Sequence, residues 1–262
     1  MPEGDTVWLT AQRLDRALSG QPVTDFELRV PALATADLRG AEVTTVVARG
    51  KHLLTRFDSG LTLHSHLRMD GSWYLTRAGQ RARRHPEHMV RAIIGNARWR
   101  ATGYRLHDLQ LLPTGDEHRL VGHLGPDLLG PDWDADEALR RLLQAPEVPI
   151  GEALLDQRIV SGIGNMYKCE VLFMLRVSPY LPTGQVTDLP AVLDLARRLL
   201  RMNRDSAEQS TTGLRGRGNE HWVYPRVGQP CRRCRTPIRR GEQGEAPYAR
   251  PTYWCPTCQP AP

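Results

Sequence analysis

The residues best suited to chemistry lie at the two ends of the sequence. Cys231 and Cys234 are separated by two residues, as are Cys255 and Cys258, with twenty residues between the pairs. Each CxxC knuckle offers two thiolates to one ion, and four thiolates in a tetrahedron suit Zn2+. The spacing therefore predicts one structural zinc ion held by all four. Two disulfides are the other arrangement this count permits, and they fit an intracellular chain poorly. A module of about forty residues has too little core to fold alone, so metal binding would supply its stability. The fifth cysteine, Cys169, sits in an apolar run and reads as a small buried residue.

At the other end the chain begins Met1-Pro2-Glu3-Gly4. Removal of Met1 would leave the secondary amine of Pro2 as the α-amino group, which titrates near about 8 and is partly uncharged at neutral pH. Such an amine can attack a sugar C1′ and form an iminium ion, the same logic as a Schiff-base lysine. Glu3, beside it, could carry the proton. Met-Pro starts are common, so this pair means little without company. Of the 35 basic residues only Lys51 and Lys168 are lysines. Each marks a place where a compact amine able to lose its proton could be needed, which arginine cannot supply.

The elements that must position these groups fall into three stretches. Val7, Ala11, Leu14 and Leu18 share one helical face, and the helix should stop at Gly20. Residues 43–47, 52–57, 61–66, 72–75, 90–94, 97–102 and 104–112 then read as short strands separated by Gly, Asp or Asn turns, the pattern of an antiparallel sandwich. Residues 125–134 are rich in Gly, Pro and Asp and mark a boundary. Beyond them the period turns helical, at 138–143, 151–155, 166–175 and 191–202. Residues 210–219 are polar, basic and glycine-rich and read as a mobile loop. The expected division is a β-sandwich over 1–124, a linker over 125–133, a helical domain over 134–219 and a cysteine hairpin over 220–262.

Composition narrows the partners. An apolar fraction of 40% is ample for a packed core and excludes global disorder. No apolar run is long enough to span a membrane, and the start lacks the basic and apolar segments of a secretory signal. A cytoplasmic protein is expected. The net charge is +6, and residues 211–250 alone carry nine arginines against three glutamates, so the rest of the chain is neutral in sum. A basic block placed this way points to a polyanion, most often nucleic acid. Four thiolates on a zinc ion would leave −2 there, so the module is less basic than its side chains imply. Arg250, five residues before Cys255, would project from a rigid support, a placement suited to a phosphate.

Four segments occur in a telling order: MPEG at the start, RGKHLL at 49–54, LLDQRIVSGIGNMYKCEVLF at 154–173, and the four-cysteine hairpin. Together they resemble the formamidopyrimidine-DNA glycosylase / endonuclease VIII family of base-excision repair enzymes, over essentially the whole chain. The resemblance implies a multidomain α+β fold: an N-terminal antiparallel β-sandwich, a helix–two-turns–helix domain and a C-terminal zinc-finger β-hairpin. It implies damaged DNA as the partner, a monomer, and bifunctional glycosylase/lyase chemistry with Pro2 as nucleophile and Glu3 as acid–base partner. Lys51 resembles the lysine near the lesion phosphate that assists elimination. Asn165, in the Gly162-Ile163-Gly164-Asn165 run, resembles the phosphate-gripping asparagine, and Arg250 the zinc-hairpin arginine. Residues 66–72 resemble the turn that supplies wedge residues, with Met69 the wedge candidate and His66 a candidate phosphate contact.

The sequence also departs from the family. Asp5 and Thr6 follow Gly4 where relatives commonly carry a proline and a second glutamate. The MPEG start and the short 210–219 loop lean towards endonuclease VIII, hence towards oxidised pyrimidines, with abasic sites as a shared substrate. Two other readings remain open here: a non-catalytic damaged-DNA binder on the same scaffold, and a lyase acting only on abasic sites.

Overall fold

The computed structural model describes residues 2–80, 86–214, 216, 218–246 and 249–260. The chain divides into two compact units, Met1–His123 and Leu124–Pro262.

The first unit opens with helix α1 (Gly4–Leu18), whose apolar stripe of Val7, Ala11, Leu14 and Leu18 is buried as the spacing predicts. The remaining elements are β1 (Asp25–Leu28), β2 (Val43–Arg49), β3 (His52–Phe57), β4 (Leu61–His66), β5 (Ser72–Arg77), β6 (Val90–Gly95), β7 (Trp99–Tyr104), β8 (Asp108–Pro113) and the short helix α2 (His118–Val121). They form two four-stranded antiparallel sheets, ordered β2-β3-β4-β8 and β1-β6-β7-β5. Alternate residues of each, such as Val46, Leu53 and Leu63 against Ala92, Ile94 and Ala101, fill one core. Phe26 of one sheet meets Phe57 of the other edge to face at 6.1 Å. This is the expected sandwich.

Two differences from the sequence reading have local causes. Strand β1 was not expected, because four residues following a Pro-containing turn carry too short an alternation. It exists through pairing with β6, where Phe26 faces Ile94. The expected strand over 104–112 is split: Tyr104 closes β7, and Arg105 takes a positive φ of 50° that turns the chain before β8 begins.

Helix α1 is docked on edge strand β2 by one carboxylate. Asp15 Oδ1 accepts from the Val46 N–H at 2.7 Å and from the Ser19 hydroxyl at 2.8 Å. The Asn96 amide donates to the Ala17 carbonyl at 2.8 Å while its oxygen accepts the N–H groups of Arg98 and Trp99. The helix that follows Pro2 and Glu3 is thereby tied to both sheets.

The second unit contains α3 (Ala135–Leu142), α4 (Ile150–Ala153), α5 (Asn165–Met174), α6 (Leu189–Asn203) and the hairpin β9 (Arg239–Gln243) and β10 (Arg250–Trp254). Asp134 and Asp188 cap α3 and α6 by accepting N–H groups three residues on. Helix α5 is buried on every side from Asn165 to Phe173. Its Cys169 and Phe173 share a cluster with Val223, Cys231, Ile238 and Cys255, so the cysteine hairpin and the helices have a common core. Among the described residues no helix is long and apolar enough to cross a membrane.

Candidate active site and nucleic-acid interface

In the first unit, Pro2 is half-buried and Glu3, the N-cap of α1, is fully buried. The Glu3 carbonyl accepts the Val7 N–H at 3.1 Å. Asp5, also buried, accepts the Thr6 N–H at 2.8 Å, so an acidic residue stands at the N-cap and another in the first turn, where the helix dipole favours negative charge. Asp5 thus occupies an interior position in the stretch where the sequence departs from its relatives.

Lys51 lies in a two-residue turn closing the β2–β3 hairpin, between the paired residues Arg49 and His52. Gly50 precedes it with φ 56°, the backbone that places glycine first in such a turn. The Arg49-Gly50-Lys51 run is therefore hairpin chemistry that leaves the lysine half-buried at a strand end.

The turn after β4 presents Met69, 62% exposed. Gly71 N–H donates to the Leu67 carbonyl at 2.8 Å, and a Cβ on Gly71 would lie 2.5 Å from that oxygen, so the turn requires glycine there. The Arg68 guanidinium is paired with Asp108, and the Arg68 N–H donates to His66 Nδ1 at 2.9 Å. Neighbours on both sides are pinned while Met69 points outward. Core packing of Met69 is excluded by its exposure.

His66 belongs to a cluster that the sequence reading did not assemble. Its ring lies 5.0 Å from that of His52, whose Nδ1 is 2.9 Å from His64 Nε2, and His123 stands 6.5 Å from His52. Burial pushes His52 down to about 3 and His66 down to about 4, with neighbouring histidines and Arg68 adding to the shift and Asp108 opposing it. Burial also lowers His64. Since His66 Nδ1 accepts an N–H, its proton is on Nε2, and at neutral pH it offers a neutral donor. The signal was available in the register: His52 and His66 face each other across β3 and β4, and His64 lies two residues along the same face.

In the second unit, Asn165 begins α5 and is almost fully buried. One of its amide hydrogens is committed to the Pro251 carbonyl at 2.6 Å, and its Oδ1 is a buried acceptor without a protein partner. Arg250, the residue before Pro251, opens β10 and is exposed, with Nη1 donating to the Ala249 carbonyl at 3.1 Å. The structure therefore links Asn165 to the strand at Pro251, the residue next to Arg250.

The four expected cysteines also converge. Their sulfurs all lie within 4.8 Å of one another, with Cys231–Cys258 at 3.9 Å, Cys234–Cys258 at 3.6 Å and Cys234–Cys255 at 3.4 Å. A tetrahedron of sulfurs about 2.3 Å from zinc has edges of about 3.8 Å. All four thiols are unbridged, with sulfurs spaced as ligands to one ion rather than at the roughly 2.05 Å of a disulfide.

Family models give the decisive comparison. The formamidopyrimidine-DNA glycosylase N-terminal domain matches residues 1–108, and the formamidopyrimidine-DNA glycosylase H2TH domain matches residues 124–211. The chain belongs to the formamidopyrimidine-DNA glycosylase / endonuclease VIII family. Among relatives, "Probable endonuclease 8 2" of Streptomyces coelicolor is 54% identical over all of this chain and 95% of its own length. A DNA-(apurinic or apyrimidinic site) lyase of Mycolicibacterium smegmatis is 44% identical, over the full length of both. "Endonuclease 8" of Klebsiella pneumoniae is 32% identical, covering 99% of this chain and all of that protein. The same fold occurs in the Lactococcus lactis enzyme solved with DNA containing an abasic site, with a TM-score of 0.81 at 23% identity over 99% of this chain and all of that one.

One residue of this family member escaped the sequence reading. Glu170 is fully buried in α5, and its carboxylate accepts the backbone N–H groups of Trp222, Val223 and Tyr224 at 2.7–2.9 Å as well as the Thr211 hydroxyl. It anchors the chain on both sides of the basic 212–221 stretch. A lone acid inside the apolar run MYKCEVLFML was the available signal.

Proposed function

We propose that the protein is a bifunctional DNA glycosylase and abasic-site lyase that removes oxidised bases, pyrimidines before purines, through an iminium on Pro2. The observation that carries this reading is the fully buried Glu3 carboxylate at the head of α1, directly after the one residue that can offer a secondary amine. With Met1 removed, the Pro2 nitrogen attacks C1′ of the damaged nucleotide. The C1′–N bond breaks and the base departs with its electron pair and a proton. Glu3 carries protons to the departing base and to O4′ as the sugar opens, leaving the Pro2 iminium. That cation acidifies C2′; loss of a C2′ proton expels the 3′ phosphate, and a second elimination expels the 5′ phosphate. Lys51, at its hairpin tip, is assigned to the lesion phosphate and to assisting elimination.

Three further assignments accompany this reading. Arg250 and Asn165 hold the DNA backbone, His66 contributes a neutral donor, and Met69 enters the stack where the base leaves it. One zinc ion on the four cysteines steadies the hairpin. The catalytic part extends over 1–124, the helical DNA-binding part over 134–219 and the hairpin over 220–262, in a monomeric cytoplasmic protein.

A narrower reading, a lyase confined to abasic sites, is favoured by the name of the M. smegmatis relative. Borohydride reduction with duplex containing thymine glycol tests both. The expected result is a covalent protein–DNA adduct and free thymine glycol base, with peptide mapping of the reduced adduct placing the sugar on the Pro2 nitrogen. An adduct formed only on a preformed abasic site selects the narrower reading. No adduct on either substrate would leave a non-catalytic binder.

A further inference from the structure

We propose that Lys168 is a positioning residue for DNA binding: its buried ammonium fixes the root of the hairpin strand from which Arg250 projects. This rests on the assignment of Arg250 to a DNA phosphate made above.

Lys168 is one of two lysines in a chain that otherwise uses arginine, and it is fully buried. A lysine is almost never buried to that degree unless its head group is engaged. Here Nζ donates to the Thr252 hydroxyl at 2.6 Å, the Thr252 hydroxyl donates to Gln243 Oε1 at 2.9 Å, and Gln243 Nε2 donates to the Pro179 carbonyl at 2.9 Å. The donors all point one way. An ammonium can only donate, a hydroxyl can accept and pass a proton's polarity on, and an amide can end the chain on a carbonyl.

The members of this relay surround Arg250. Gln243 is the residue directly across the hairpin from Arg250, and Thr252 is two positions along the same strand. Between them the Pro251 carbonyl is held by Asn165. A two-stranded ribbon has little stability of its own. Its Trp254 end leads into the cysteine cluster, whereas its Arg250 end opens into the loop that joins the strands. Lys168 and Asn165, three residues apart on α5, grip that second end. Gly151 of α4 leaves the room: a Cβ there would lie 2.4 Å from Gln243 Oε1 and 2.9 Å from the Pro179 carbonyl. A straight-chained ammonium reaches this enclosed position with a narrower head group than the branched fork of a guanidinium.

A double-mutant cycle on the full-length, zinc-replete protein tests the assignment, using duplex DNA with a tetrahydrofuran abasic analogue at two salt concentrations. Arg250→Ala is expected to weaken binding about tenfold and to flatten the salt dependence by the share of one phosphate contact. Lys168→Met is expected to weaken binding about fivefold and flatten the salt dependence in the same sense, and to add less than about twofold in the Arg250→Ala background. Thr252→Val should reproduce Lys168→Met, and Thr252→Ser, which keeps the hydroxyl, should not. Zinc content and melting temperature identify any variant that fails to fold, in which case the Thr252 pair decides. Equal losses from Lys168→Met in both backgrounds, or no loss at all, overturn the positioning role while leaving Arg250 in place. An unaffected Arg250→Ala overturns the phosphate assignment and the proposal with it.

Discussion

Met69 is a long, flexible side chain exposed at the crown of a turn whose flanking groups are all committed, Arg68 to Asp108 and Gly71 to Leu67. Truncating it removes nothing from the core. Met69→Ala should therefore leave the melting temperature unchanged within the range of surface substitutions, about 0.5 kcal/mol. If Met69 enters the base stack, the same change should slow base release about tenfold or more, because the vacated space is left unfilled. Single-turnover release of thymine glycol beside a thermal melt measures both, and an unchanged rate would remove Met69 from the wedge. At this scale residue type and spacing named the four cysteines that converge in the structure, and offered Pro2, Glu3 and Lys51 as candidates. Commitments between distant positions were not readable there. That Asn165 spends a hydrogen on Pro251, 86 residues away, follows only from the packing of α5 on β10.

Helix α5 is the element on which the second unit is organised, and its two buried charges face different tasks. Lys168 holds the hairpin, while Glu170 holds residues 222–224 and Thr211. Removing the carboxylate strands three backbone N–H groups, that of Val223 buried and those of Trp222 and Tyr224 partly so, and a buried one costs about 1–3 kcal/mol. Glu170→Ala should therefore destabilise the unit by about 3 kcal/mol or more, whereas Glu170→Gln, which keeps one acceptor oxygen, should cost less. Denaturant unfolding of the two variants checks the order; equal stability to the parent would show that the anchor is dispensable. Most elements were legible, α1 from its strong helical periodicity and strands such as β3 and β4 from short apolar runs bounded by turn residues. Strand β1 was not, since four residues hold too little pattern and their pairing with β6 is a non-local event. Helix α5 was placed correctly, but its burial on all sides hides from sequence which face does what.

At the scale of the molecule, charge is unevenly distributed, and so is sensitivity to pH. The net +6 lies in residues 211–250, within the second unit, while the first unit holds the four-histidine cluster. Burial holds His52 at about 3 and His66 at about 4 in the folded protein, against 6.5 when unfolded. Between those values the unfolded chain binds more protons than the folded one, so stability rises with pH across the window. The neutral cluster is fully compatible with folding above pH 6.5, and stability is lost progressively as the pH falls from there to about 4. A second loss belongs to lower pH. Burial pushes Glu117 up, but hydrogen bonds from Arg56 and Thr62 outweigh it and hold the carboxyl below its ordinary 4.5, and that contribution disappears as the pH falls through the folded value. Calorimetry of the first unit's transition in the full-length protein should therefore show the melting temperature falling by several degrees between pH 6.5 and pH 5. His52→Phe removes one of the most depressed groups and should flatten that slope without altering the loss at lower pH from Glu117. A slope unchanged in His52→Phe would mean that the acid response originates elsewhere than in these rings.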